Sequence, residues 1–69
     1  MIGKRMKALR LSLKVTQSAL AKKLKVKPSA ISQIESGKIR PSLDTILLLT
    51  KVCDVNLHWL ITGRGPMWV

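Results

Sequence analysis

Apolar residues Ile2, Met6, Leu9 and Leu13 recur at steps of four, three and four, which is one face of a helix. This spacing predicts a first helix over residues 2–13, with Lys4, Lys7 and Lys14 off the stripe. Thr16 is a good N-cap, and the helix formers behind it predict a second helix over 17–24. Its stripe is Leu20, Ala21 and Leu24, with Lys22 and Lys23 left to solvent. Pro28 suits the first turn of a third helix over 28–35, where its missing N–H is no loss. Ile31 and Ile34 share one face of it. At about 100° per residue, Ser29, Ser32, Gln33 and Ser36 gather on the other. Gly37 stands where a helix commonly ends in a left-handed residue. Ser42 caps a fourth helix over 43–53, and Asp44 in its first turn complements the helix dipole. That helix is apolar nearly all round, which predicts burial on more than one side. Asn56 caps a short fifth helix over 57–62, closed by Gly63, after which Arg64, Gly65 and Pro66 read as the start of a linker. No repeat and no strand pattern interrupts this order. The expectation is an all-α domain over 1–63 with a tail over 64–69.

Charge sharpens the picture. Thirteen Lys and Arg face three Asp and Glu, for a net charge of +10 on 69 residues. An imbalance this large points to a polyanionic partner: DNA, RNA or an anionic membrane. So short a chain has little room for an enclosed catalytic pocket. Cys53 is the only cysteine, so an internal disulfide is excluded and a reducing, cytoplasmic setting is expected. The basic start lacks the unbroken apolar run of a signal peptide, and the longest apolar run, Ile46 to Leu49, is far too short to span a bilayer.

The second helix, the tight turn Lys25 to Lys27 and the third helix together make a helix-turn-helix unit. In such a unit the second helix of the pair enters the major groove of B-DNA. Its exposed face then needs side chains that bond base edges. Gln33 can serve both N6 and N7 of adenine, and Ser29 and Ser32 can donate to or accept from several bases. Lys27, at the start of this helix, is a further candidate for contact with base edges. Lys38 and Arg40 flank its far end, where backbone phosphates are the expected partners.

The stretches Thr16 to Ala21, Ser29 to Lys38 and Arg40 to Leu43, with the closing Trp59 to Gly63, resemble the lambda-repressor-like helix-turn-helix family, and most of all the N-terminal domain of lambdoid phage repressors. The resemblance covers about residues 4–66. It implies five helices and a dimer acting as a transcriptional repressor on a near-palindromic operator in a bacterial host. It also implies that Gln17 contacts phosphate at the start of the second helix. Ser29, Ser32 and Gln33 match base-facing positions, and Ser36 and Lys38 match backbone-contacting ones. Arg10 and Glu35 match a partly buried ion pair. Where the family often has glycine, this chain has Lys25 and Asp54, each at a helix end, and a left-handed backbone there carries a small cost. Lys27 stands where a capping Ser or Thr is common. Leu48 and Val52 stand where the family tends to be polar. With Leu57 they are the candidates for a contact between protomers.

Other chemistry finds little support. His58 has no Cys or carboxylate partner at metal spacing, so no metal or other cofactor is expected. Cys53 reads as a small core residue. Three acids leave little for acid–base catalysis, and no enzyme is expected. Two further readings within the DNA-binding class are a Cro-like regulator and an antitoxin. Outside it stand a basic membrane-surface helix and a protein-interaction module, and an antirepressor protein is a conceivable partner of any such repressor.

Overall fold

Capping decides where most of the helices begin. In the computed structural model, which describes residues 1–69, five helices run over Ile2–Ser12 (α1), Gln17–Leu24 (α2), Pro28–Glu35 (α3), Leu43–Val52 (α4) and Leu57–Thr62 (α5). The Thr16 hydroxyl accepts from the Ala19 N–H at 3.0 Å. Ser42 accepts from the Thr45 N–H at 3.1 Å, and Asn56 Oδ1 from the His58 N–H at 3.1 Å. Each bond satisfies one of the orphan donors of a first turn. α1 and α3 start on residues with no capping acceptor, Met1 and Lys27, and in α3 Pro28 occupies the first turn.

The helix ends differ from expectation in two places. α1 stops at Ser12 because Lys14 turns left-handed, with φ of +58°. The Lys14 and Val15 N–H groups then close the last turn onto Leu11 and Arg10. Lys25 ends α2 in the same way, at φ +59°, with the Val26 N–H on the Ala21 carbonyl. Asp54, the other residue standing at a family glycine, does not adopt this conformation. α4 stops one residue early, since Cys53 is already extended.

The core is built from Met6 and Leu9 of α1, Leu20, Ala21 and Leu24 of α2, Ile31 and Ile34 of α3, Leu49, Val55 and Leu60. Helix α3 packs on α2 and α1, and α5 closes against α1. Gly3 shows how tightly α1 meets the end of α3, since a Cβ there would collide with the Ile34 carbonyl oxygen. α1 also reaches α5 through Arg5, whose Nε donates to the Leu60 carbonyl at 2.6 Å and whose Nη2 donates to that of Ile61 at 2.8 Å. A guanidinium on the last carbonyls of a helix satisfies orphan acceptors and suits the dipole.

α4 corrects one expectation. Its apolar circumference does not mean burial on more than one side, because its principal packing partner among the helices is α2. Only Thr45 and Leu49 are buried, while Leu43 is 71% exposed and Leu47 48% exposed. The tail over 64–69 follows Gly63. It doubles back, with the Asn56 N–H on the Met67 carbonyl at 2.7 Å and the Val69 N–H on that of Asp54 at 2.8 Å. Val55 and Trp68 thereby face each other as a single antiparallel bridge. No helix is long and apolar enough to cross a membrane.

Candidate nucleic-acid interface

The alternation within α3 separates two faces. Ile31, Ile34 and Glu35 are buried, whereas Ser29, Ser32 and Gln33 are exposed and their side chains make no hydrogen bond within the protein. An exposed amide and two hydroxyls on one helical face offer donors and acceptors without net charge. Lys27 stands exposed at the start of the helix, and Ser36, Lys38 and Arg40 stand exposed beyond its end. The uncharged face is thus bracketed by cations.

The loop after α3 hangs on one carbonyl. Gln33 O accepts from the Lys38 N–H at 2.9 Å, the Ile39 N–H at 3.3 Å and the Ser36 hydroxyl at 3.1 Å. Gly37, at φ +85°, makes this tight return possible. The same backbone residue that carries the Gln33 amide therefore sets the position of Lys38. The Ser36 hydroxyl hydrogen is engaged within the protein, which leaves its oxygen lone pairs rather than a free donor.

Arg10 and Glu35 meet under this face. Arg10 Nε donates to Glu35 Oε2 at 2.7 Å and Nη2 to Oε1 at 3.1 Å, with side-chain exposures of 11% and 4%. Arg10 Nη1 donates in addition to the Val15 carbonyl at 3.0 Å, and Gln17 Nε2 donates to Glu35 Oε1 at 3.1 Å. Burial alone pushes the Glu35 carboxyl up. The hydrogen bonds from Arg10 and Gln17 and the charges of Arg10 and Lys7 outweigh it, and the group titrates below its ordinary value. The hydrogen bond to Glu35 raises Arg10 against its own desolvation.

Of the thirteen basic side chains, Arg5 and Arg10 are engaged inside the fold and the rest stand exposed. The role of Arg5 was missed from the sequence, because its partners lie 55 and 56 residues away. The three residues expected at a protomer contact, Leu48, Val52 and Leu57, are each half-buried against the core. The large apolar residues that stand exposed from the α3–α4 loop onward are Ile39, Leu43, Leu47, Ile61, Trp68 and Val69. Cys53 is half-buried with its thiol on the Leu49 carbonyl, and burial pushes that thiol up, away from thiolate chemistry. A cleft of about 550 Å³ lies between the start of α1, the α3–α4 loop and the end of α5, lined largely by apolar groups such as Ile2, Ile34, Ile46 and Ile61. No three His, Cys, Asp or Glu side chains cluster at metal-binding distance.

Residues 6–60 match the helix-turn-helix family model. The chain is 47% identical over 53 residues to the HTH-type transcriptional regulator for conjugative element SXT of Vibrio cholerae, covering 77% of this chain and 24% of that protein. It is 37% identical over 62 residues to the HTH-type transcriptional regulator DicA of Escherichia coli, covering 90% of this chain and 46% of that protein. This chain therefore spans less than half the length of either relative. Its fold is similar to that of the P22 c2 repressor protein in a crystal structure with synthetic operator 9T. The TM-score is 0.84 at 34% identity, covering 93% of this chain and 97% of that one.

Proposed function

The chain belongs to the helix-turn-helix family, and on that footing we propose that it is the DNA-binding domain of a transcriptional repressor of phage type, which reads double-stranded DNA through the major groove. One observation carries the reading: the exposed Ser29, Ser32 and Gln33 face of α3, with unpaired Lys27, Lys38 and Arg40 at its two ends. An α-helix fits the major groove, amides and hydroxyls match base edges there, and cations at the helix ends meet the phosphates. Gln17 adds an uncharged contact to the backbone, and Ser36 adds another by turning its hydroxyl hydrogen from the Gln33 carbonyl to a phosphate oxygen. The operator bound by the P22 c2 repressor supports the same assignment here.

In this reading the protein is a binding protein rather than an enzyme, and it works on DNA in the bacterial cytoplasm. It acts as a dimer on a near-palindromic site, with half-site centres about 34 Å apart. The exposed Leu43 and Leu47 on α4, one turn apart, are apolar surface available to a second copy, and the half-buried Leu48, Val52 and Leu57 are further candidates for that contact.

Selection of bound sites from random duplex DNA tests this function. The expected result is a partial palindrome whose affinity falls steeply with salt, by about 0.9 log units per log unit of salt for each neutralised phosphate. Recovery of no common sequence would remove the reading.

A further inference from the structure

The buried Arg10–Glu35 pair would be complete without Gln17. A carboxylate facing one guanidinium through two hydrogen bonds already has its charge compensated. Yet Gln17 Nε2 adds a third donor, at 3.1 Å from Glu35 Oε1. What this bond changes is the state of Gln17. A glutamine at the first position of a helix beside solvent would otherwise sample several rotamers and both orientations of its amide.

We infer that Glu35 is a positioning residue for DNA binding: from its buried pair with Arg10 it fixes the Gln17 amide, with one N–H turned inward and the second N–H left for a backbone phosphate. The inference rests on the DNA-binding reading above. Three observations carry it. A carboxylate can only accept, so the nitrogen of the Gln17 amide, not its oxygen, must face Glu35. The orientation is set by chemistry, and a donor rather than an acceptor remains beside the inward bond. Second, Gln17 opens α2, where the N–H groups of Gln17 and Ser18 have no acceptor and the helix dipole favours an anion. The amide donor therefore stands next to backbone donors of the same preference. Third, Arg10 Nη1 holds the Val15 carbonyl, directly before the Thr16 cap. The same guanidinium thus anchors both the backbone entering α2 and the acid that orients its first side chain. Arg10 also cancels a negative charge that would otherwise repel the phosphate.

The test is a cycle of four proteins titrated with the selected operator: wild type, Gln17→Ala, the paired change Arg10→Met with Glu35→Met, and all three together. Methionines in place of both charges leave no uncompensated ion in the core. Gln17→Ala is expected to weaken binding about three- to tenfold in the wild type, as loss of one oriented hydrogen bond does, and by less than about twofold in the paired background. The order of preference among operator variants stays the same. An equal loss in both backgrounds, or no loss in the wild type, overturns the inference. Nuclear magnetic resonance of the free wild-type protein gives a second readout that does not depend on the variants folding. One Gln17 side-chain amide proton is expected to be protected from solvent exchange, and two freely exchanging protons would overturn the relay. A wild type that binds no duplex would overturn the DNA-binding reading itself, whatever these amide protons show.

Discussion

α3 and α4 are neighbours in sequence that leave opposite remainders at the surface. Both begin at a residue of extended backbone and bury one stripe, Ile31 and Ile34 in α3, Thr45 and Leu49 in α4. α3 presents hydroxyls and an amide to solvent, while α4 presents Leu43 and Leu47. Once the core is satisfied, what remains exposed states which partner suits each helix. A polar face between cations suits a charged polymer with hydrogen-bonding edges. An apolar face suits another apolar surface, most simply a second copy of the chain. The two helices also differ in how they are held. α3 is tied to α1 and α2 through the Arg10, Glu35 and Gln17 network, and α4 has no comparable polar tie.

The largest expected effect breaks the better-held side of that contrast. Glu35→Ala strands Arg10 in the interior and should destabilise the fold by about 3 kcal/mol. In a domain of this size that lowers the melting temperature by roughly 12–24 °C. Thermal unfolding followed by circular dichroism checks it, and a shift of only a degree or two would mean the pair contributes nothing. The acid limb follows from the same group. Because Glu35 titrates lower in the folded chain than in the unfolded one, its stabilisation is fully present above the ordinary glutamate value, about 4.3, and is lost as the pH falls through the lower native value. Glu35→Gln should flatten the loss of stability below about pH 4.

The next comparison divides α4 itself. Leu48→Lys places a charge on a residue packed against the core and should cost about 2 kcal/mol of stability. Leu47→Lys alters an exposed residue and should leave stability within about 0.5 kcal/mol. It should nevertheless reduce cooperative binding to a full operator while sparing an isolated half-site. If Leu47→Lys leaves full-site binding untouched, this face of α4 is not where protomers meet.

A smaller effect probes the turn that joins α2 to α3. Lys25 holds a left-handed backbone without being glycine. Lys25→Gly should therefore raise stability by up to about 1 kcal/mol. It should also reduce DNA affinity only as far as the lost charge dictates. Any fall in stability would mean that the Lys25 side chain makes a contact outweighing the backbone cost.

Most of the helical framework was legible because it rests on local signals. Thr16, Ser42 and Asn56 mark three helix starts through their own oxygens, and the i, i+3 and i+4 stripes of α1 to α3 name the core. What escaped depends on distance or on the absence of a neighbour. Lys14 adopts a left-handed backbone although nothing in its chemistry announces one. Arg5 looks like any surface cation until α5 arrives beside it. The apolar girth of α4 suggests burial on more than one side, but periodicity cannot say how many helices pack around it. Gly and Pro mark residues 64–69 as a tail or the start of a linker, while the return of this segment depends on main-chain bonds to residues 54–56 that sequence pattern does not encode. At the candidate interface, the exposed face of α3 followed from helical phase alone. The Gln17 bond to Glu35 joins residues 18 apart and required the fold.

The claim that α3 reads DNA while its flanks hold it is tested most directly by a competition assay on every single-base variant of the operator, run on Gln33→Ala and Lys38→Ala. Gln33→Ala should lose about 1–3 kcal/mol of discrimination at one base pair in each half-site and keep the preferences elsewhere. Lys38→Ala should weaken all variants about equally and lower the salt slope by about one. A uniform loss in Gln33→Ala, with the wild-type order of preference intact, would contradict the account, because the exposed amide of α3 would then hold the backbone and not read the bases.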